Sequence, residues 1–195
     1  MIGCLVGSEM CIRDSTDTAI LSEVLGYYMP IIPIFSSGVV FKHILMNSKK
    51  EKKDELLPEI ISGEKIGTFA VYESDKYEID QDTLNTQLTT TDSGYILSGN
   101  KKYVMFGDVS DYIAVLAKHE NGYKFVLVSS GSDGVTIKET TSLDQTRPMC
   151  EVEMSDVALD SDAVLIELDA ELSEWNNVKN IALGYLAMEQ VGASQ

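Results

Sequence analysis

Residues that could perform chemistry are few and scattered in this sequence. The two histidines, His43 and His119, are distant from each other and have no acidic or cysteine neighbours at ligand spacing. Such isolated histidines indicate neither a metal site nor a histidine-assisted nucleophile. The sequence also lacks GxGxxG and GxxxxGK[ST] motifs, which excludes the usual phosphate-cradling routes to nucleotide binding. Local motifs therefore predict no metal site and no catalytic residue.

Composition excludes several classes of partner. The 195 residues are 44% hydrophobic and carry a net charge of -16, so the chain has enough apolar residues for a core but repels nucleic acid and anionic membranes. Three cysteines without CxxC spacing favour a reducing, cytoplasmic location. The apolar run in residues 25–46 is interrupted by Pro30, Pro33 and Lys42, so we predict no membrane span.

The first residues contain a segment that need not belong to the protein. Residues 9–15 (EMCIRDS) resemble the translation of a transposon-end adapter that is used to build sequencing libraries, fused in frame to a gene fragment. We therefore expect residues 1–15 to be a non-native tail. The alternative is an ordinary N-terminal tail, and the encoding nucleotides distinguish the two.

Helical patterns occur at both ends of the remaining sequence. Apolar residues recur every three or four positions through residues 16–62 and again from residue 172 to residue 195, which predicts helices in both segments. In the second segment, small residues such as Gly184 and Gly192 would let another helix approach closely. No partner helix follows them, so we expect the sequence to be truncated within a helical domain.

The segment between the helices has the alternating pattern of β-strands. β-Branched and aromatic residues become frequent in residues 63–168, and Cys150, Val152 and Met154 alternate with polar residues. This alternation is typical of antiparallel strands with one solvated face. The Gly-Asn pair at residues 99–100 predicts a tight hairpin turn. The patterns therefore predict an α+β protein.

Several segments, in this order, carry a family resemblance. They are residues 63–73 (GEKIGTFAVYE), 94–104 (GYILSGNKKYV), 111–118 (DYIAVLAK), 144–148 (DQTRP) and 189–193 (EQVGA). Together they resemble the flavin-binding middle domain of acyl-CoA dehydrogenases and its flanks. The resemblance implies a short helical N-terminal segment, an antiparallel β-barrel middle domain and a C-terminal helix.

The same resemblance implies the domain boundaries. Residues 16–62 would be the end of an N-terminal helical domain, residues 63–168 the whole middle domain, and residues 169–195 the first helix of a C-terminal helical domain. The chain would then be a fragment of a longer protein.

The resemblance implies FAD as the cofactor and gives positions for its contacts. In the family, the flavin lies along an edge of the middle domain, where backbone groups after the first strand and side chains of a tryptophan-isoleucine-threonine strand touch the ring. Transferred position by position, the cofactor-binding residues are Phe69, Val71, Tyr72, Tyr103 and Met105. The alternative is that Phe69 and Val71 are core positions and that Tyr103 is a cross-strand aromatic.

Two departures from the family pattern support a second hypothesis. The family follows its first strand with threonine-glutamate and a proline-glycine-alanine-glycine-serine-aspartate loop, whereas this chain has YESDKY at residues 72–77. Met105 replaces the threonine that bonds the ring, and methionine cannot donate a hydrogen bond. The alternative is therefore a fragment of a non-catalytic, flavin-less partner subunit of a heteromeric acyl-CoA dehydrogenase. A third hypothesis is an unrelated helical-plus-β binding module.

The implied reaction is the α,β-dehydrogenation of an acyl-CoA, in fatty acid or steroid side-chain degradation. A glutamate removes the α-proton while a hydride leaves the β-carbon for the flavin. In the family this base comes from the C-terminal helical bundle, so we expect it beyond Gln195 and expect the chain alone to be inactive. Glu73, Glu151 and Glu189 are interpreted as surface or structural residues. Implied partners are electron-transfer flavoprotein and other subunits of a homo- or hetero-oligomer.

Overall fold

Helices cover a mixed β-sheet in this protein. The computed structural model describes residues 10–75, 79, 83–120, 122–169 and 171–195. Residues 1–9, most of the expected non-native tail, and Lys76 and Tyr77 lie outside the described residues. The helical elements are α1 (Met10–Tyr28), a π-helical segment (Ile34–Phe41) that continues into α2 (Lys42–Met46), α3 (Lys50–Ser62) and α4 (Ser173–Ala193).

The strands form one sheet with the order β6-β7-β3-β2-β4-β5-β8, and β1 also pairs with β4. They are β1 (Gly67–Ala70), β2 (Gln87–Thr91), β3 (Gly94–Met105), β4 (Tyr112–His119), β5 (Gly122–Ser129), β6 (Val135–Thr140), β7 (Met149–Asp160) and β8 (Val164–Leu168). The α+β class is confirmed. The expected antiparallel β-barrel is wrong on two points. The sheet is not closed, because β6 and β8 are the outer strands of the described order, and it is not purely antiparallel, because β1 and β2 are parallel to β4.

The parallel pairings have a simple origin. The chain runs along the first half of β4 as β1, leaves that edge after Ala70, and returns to the same edge in the same direction as β2. β1 and β2 are therefore both parallel to β4, whereas β5 pairs with the opposite edge of β4 in antiparallel orientation.

β3 is one continuous strand, so the hairpin predicted at residues 99–100 is wrong. The tight turn lies instead at residues 92–93, between β2 and β3. At Gly99 an added Cβ would lie 2.4 Å from Oγ1 of Thr86. Glycine is therefore needed here because the chain before β2 crosses close to β3, and not because the chain turns.

Residues along β1 alternate between two cores, as expected for a strand. Phe69 and Val71 face the helices, whereas Ala70 faces the second core on the other side of the sheet. Trp175 of α4 packs against the first core, with ring centroids 6.0 Å from Phe69 and 5.8 Å from Phe125. The predicted alternation of β7 is confirmed, because its inward residues belong to the second core: Cys150, Val152 and Met154.

A buried ion pair fills the gap between β1 and β2. Nζ of Lys101 lies 2.7 Å from Oε1 of Glu73, and the Lys101 side chain is 0% exposed. Nζ also donates to the carbonyl of Val71 at 3.2 Å. The Glu73 carboxylate accepts the amides of Asn85 at 2.6 Å and Thr86 at 2.9 Å. One carboxylate therefore joins the end of β1, the approach to β2 and the middle of β3.

The pair titrates differently from free side chains. Burial lowers the pKa of Lys101 to about 8, because the attraction of Glu73 only partly offsets the loss of hydration. Burial acts to raise the pKa of Glu73, but Lys101 and the hydrogen bonds of Thr86 together hold that pKa below its ordinary value. Both groups are therefore charged near neutral pH.

Glycines on α1 and α4 let the two helix backbones approach closely. An added Cβ at Gly26 would lie 1.9 Å from the carbonyl oxygen of Glu189, and one at Gly192 would lie 1.8 Å from the carbonyl oxygen of Glu23. The close partner of Gly192 is thus α1, which precedes the sheet. Gly184 has no atom within 4 Å of an added Cβ.

We predict that Gly192→Ala destabilises the protein by about 1–3 kcal/mol, because the methyl group forces two helix backbones apart. Gly184→Ala is the matched control on the same helix. It should be neutral or stabilise the protein by up to about 1 kcal/mol, since alanine is the better helix former. Urea unfolding followed by circular dichroism measures both. Equal stability of the two variants would contradict the described packing.

We also predict that Lys101→Met lowers the free energy of unfolding by about 3–5 kcal/mol, because it leaves the buried Glu73 carboxylate without its cation. The double variant Lys101→Met/Glu73→Gln should recover part of this loss, since no buried charge remains. The control is Lys138→Met, which removes an exposed pair with Glu153 on β7 and should cost less than about 1 kcal/mol. Equal losses for the two lysine variants would show that the Lys101 pair is not buried.

The lowered pKa of Lys101 gives a prediction for alkaline pH. Between pH 8 and pH 10.5 the unfolded chain retains a proton that folded Lys101 releases, so the contribution of this residue to stability rises with pH. The stability of the wild type relative to Lys101→Met should therefore increase across this window. A difference between the two proteins that stays constant in urea titrations would refute the assignment.

Candidate functional site

A cavity of about 390 Å³ lies where the end of α1, the start of the π-helical segment and α4 meet the end of β3. Its volume is within the range of small-molecule sites. Most of its walls are apolar, contributed chiefly by Leu25, Met29, Ile32, Phe35, Met105 and Leu186.

One wall of the cavity is charged. Nη2 of Arg147 donates to Oε2 of Glu189 at 2.7 Å, and the guanidinium carbon lies 5.6 Å from the centre of the Phe35 ring. Asp144 Oδ1 accepts from the amide of Thr146 at 2.9 Å and from its hydroxyl at 2.6 Å. These hydrogen bonds lower the pKa of Asp144. The charged side chains of this wall are Arg147, Asp144 and Glu189.

An aromatic pair lies next to the charged wall of the cavity. The rings of Phe35 and Tyr185 lie 5.8 Å apart with an interplanar angle of 53°, a tilted arrangement that is favourable for aromatic rings. Burial raises the pKa of Tyr185, although its hydrogen bond with Ser22 opposes the effect. The Tyr185 hydroxyl is therefore neutral and holds α4 against α1.

Of the residues predicted to contact a flavin, Met105 lines this cavity. It is the last residue of β3 and is half-buried. Its carbonyl accepts a hydrogen bond of 2.6 Å from the hydroxyl of Thr68 on β1. The ends of β1 and β3 therefore meet at the border of the cavity.

Tyr72 and Tyr103 lie at a second bridge between the same segments. The amide of Lys102 donates to the carbonyl of Tyr72 at 2.8 Å. Tyr103 has a φ of 58°, is 46% exposed and donates its hydroxyl proton to the carboxylate of Asp75. Its left-handed backbone coincides with an irregularity in the β3–β7 register between Lys101 and Val104, which turns the ring outward.

Phe69 and Val71 are buried in the core beneath α4, with 7% and 2% of their surface exposed. Their side chains do not line the cavity. β1 pairs with β4 along one edge. Its other edge faces the end of β3, where the Thr68 hydroxyl donates to the carbonyl of Met105. Just after β1, the carbonyls of Val71 and Tyr72 accept hydrogen bonds from Nζ of Lys101 and from the amide of Lys102.

Sequence reasoning missed the pairing of Arg147 with Glu189. The two residues are 42 positions apart, and neither belongs to a local motif that would have indicated the contact. Glu189, interpreted as a surface or structural residue, is half-buried at the cavity. Glu73 is structural through its pair with Lys101, and Glu151 accepts a hydrogen bond of 2.6 Å from the Asn100 amide group at the surface.

The described residues contain neither a cluster of metal ligands nor a membrane-spanning helix. No group of three or more histidine, cysteine, aspartate or glutamate side chains in that part of the chain is arranged to hold a metal ion. None of the helices in the described ranges is both long and apolar enough to cross a membrane.

Comparison with known proteins agrees with this geometry. The profile of the acyl-CoA dehydrogenase middle domain matches residues 68–157. The chain is 30% identical over 100 residues to the mitochondrial 2-methylacyl-CoA dehydrogenase of Solanum tuberosum, a match that covers 51% of this chain and 22% of that protein.

Solved structures show the same fold. A glutaryl-CoA dehydrogenase from Mycobacterium smegmatis in complex with FADH2 matches with a TM-score of 0.74 and 25% identity, over 82% of this chain and 42% of that one. Butyryl-CoA dehydrogenase from Megasphaera elsdenii matches with a TM-score of 0.81 and 20% identity, over 89% of this chain and 48% of that one. The chain thus spans less than half the length of these relatives. The resemblance to the acyl-CoA dehydrogenase family is confirmed, and residues 68–157 match the profile of its middle domain.

Proposed function

We propose that this chain is part of an FAD-dependent acyl-CoA dehydrogenase, with FAD bound where the ends of β1 and β3 border the cavity. The observation that carries the proposal is the position of Met105, which both ends β3 and lines a largely apolar cavity of about 390 Å³. The FADH2 in the related glutaryl-CoA dehydrogenase supports this cofactor. The proposed division of the chain remains residues 16–62, 63–168 and 169–195.

The residues at this border fit a flavin. Tyr103 offers an exposed ring for stacking on a flat surface. The carbonyls of Val71 and Tyr72 are hydrogen-bonded to Lys101 and Lys102, so the backbone of Phe69, Val71 and Tyr72 would offer its amide N–H groups to a ring edge. Proteins tune a flavin by aiming N–H groups at its ring and by packing side chains on its face. Bound there, FAD would accept the hydride that leaves the β-carbon of an acyl-CoA.

The chain's own part in that reaction is to bind and orient. The apolar wall of Leu25, Ile32 and Phe35 would take the hydrocarbon of the acyl group and exclude water from it. The buried pair of Lys101 and Glu73 would keep the border rigid, because Lys101 bonds the carbonyl of Val71 directly.

We assign the catalytic base to a residue outside this chain, so that the chain alone has no dehydrogenase activity. Both carboxylates in the cavity already have partners: Glu189 accepts from Arg147, and Asp144 accepts from Thr146. A base that removes an α-proton must be free to receive it and needs a raised pKa, whereas the pKa of Asp144 is lowered.

Further subunits belong to the proposal. Large apolar side chains on α1 and α4 are exposed, among them Ile20, Val24, Tyr28, Ile181 and Val191. Exposed apolar patches of this kind mark surfaces that other protein covers, which supports a homo- or hetero-oligomeric parent. Electron-transfer flavoprotein is the proposed electron acceptor.

We predict that the purified chain retains FAD through gel filtration and that Tyr103→Ala weakens FAD binding about fivefold, because loss of ring packing costs about 1 kcal/mol. Tyr103→Phe keeps the ring and should keep the affinity. Met105→Thr adds a hydroxyl donor and should strengthen binding by about the same factor. Quenching of flavin fluorescence during titration measures each affinity.

The matched control is Tyr95→Ala, which removes an aromatic ring from the other end of β3, where it packs 5.7 Å from His119. It should leave the affinity for FAD unchanged. A folded, colourless protein that does not bind added FAD would refute the proposal and favour the flavin-less partner subunit. Equal effects of Tyr95→Ala and Tyr103→Ala would remove Tyr103 from the site.

A further inference from the structure

We infer that the cavity selects acyl groups that carry a neutral oxygen, such as a ketone or a hydroxyl, over plain alkyl chains and over chains that end in a carboxylate. The inference rests on the proposed function, since it concerns the acyl group of that substrate. It depends on the charged wall formed by Arg147, Asp144 and Glu189.

Arg147 has hydrogen-bond donors to spare. A guanidinium carries five N–H donors, and among the described residues Arg147 makes one protein hydrogen bond, from Nη2 to Glu189. Phe35 covers the flat face of the group at 5.6 Å and cannot accept its in-plane hydrogens. The side chain is 28% exposed and lines the cavity, so free donors border the space that a ligand would occupy.

A plain alkyl chain is a poor match for this wall. Hydrocarbon placed beside Arg147 would displace water from the free N–H groups without supplying a hydrogen-bond acceptor. Leaving the donors of a charged group without an acceptor is costly in free energy. An acyl chain with a carbonyl or hydroxyl oxygen at the same place would replace that water. Its remaining carbons would still lie against Phe35 and Met105.

A carboxylate at the same place meets the opposite problem. The charged residues that line the cavity are one cation, Arg147, and two carboxylates, Asp144 and Glu189, so the wall has an excess of negative charge. The chain as a whole carries a net charge of -16. A ligand carboxylate would have to compete with Glu189 for the Arg147 guanidinium, and the surrounding negative charge would repel it. A neutral oxygen would not be repelled in this way.

The test compares three acyl-CoA probes with six-carbon acyl chains, titrated by calorimetry into the FAD-loaded chain. These are hexanoyl-CoA, 5-oxohexanoyl-CoA and adipoyl-CoA. We expect 5-oxohexanoyl-CoA to bind about tenfold more tightly than hexanoyl-CoA, the size of one hydrogen bond to a charged group. Adipoyl-CoA should bind most weakly of the three.

Variants then assign the preference to named residues. In Arg147→Met, 5-oxohexanoyl-CoA should bind more weakly than to the wild type and hexanoyl-CoA more tightly. The two affinities should therefore converge. Glu189→Gln should keep the preference for the ketone and improve binding of adipoyl-CoA about tenfold, since the wall loses a negative charge. Arg147→Lys, which keeps the charge but loses the planar fork, should keep part of the preference if Arg147→Met fails to fold. Lys138→Met, on β6 and away from the cavity, should match the wild type.

The outcomes separate this inference from the proposed function. Equal binding of hexanoyl-CoA and 5-oxohexanoyl-CoA to the wild type would overturn the selectivity and leave the acyl-CoA site standing. A preference that survives in Arg147→Met would also overturn it. Failure of all three probes to bind the FAD-loaded chain would overturn the proposed function, and the selectivity with it.

Discussion

The geometry of the candidate site depends on a lysine side chain that is fully buried. Lys101 lies in the middle of β3, and its ammonium group reaches the gap that the chain leaves between β1 and β2. A buried charge without a partner would be strongly destabilising, so Glu73 must stay where it is. Because the same carboxylate holds the amides of Asn85 and Thr86, the end of one strand and the approach to the next are fixed together.

The border of the cavity follows from this constraint. β3 becomes irregular just after Lys101, and the left-handed backbone at Tyr103 directs its ring to the surface while Lys101 remains inside. Two residues later, Met105 ends the strand beside Thr68. The exposed aromatic ring and the cavity-lining methionine are thus local consequences of how β3 accommodates a buried charge.

Much of the fold was readable from the sequence because it depends on periodicity. Alternation along β7 and helical spacing around Trp175 report burial directly, and the order of several short segments indicated the family. Gly99 was misread, since a glycine needed for close chain crossing looks the same in sequence as one in a turn. The pair of Arg147 and Glu189 could not be foreseen, because a loop and a distant helix meet only after the sheet and α1 have placed them.

The close packing of Gly26 against Glu189 and of Gly192 against Glu23 has a kinetic implication. α1 precedes every strand and α4 follows them all. The contact between these helices therefore joins residues that are far apart in the sequence, and contacts of that kind form slowly. The sheet also has a second core, to which no described residue of α1 or α4 belongs. We therefore expect the contact between the two helices to form after the strands have paired.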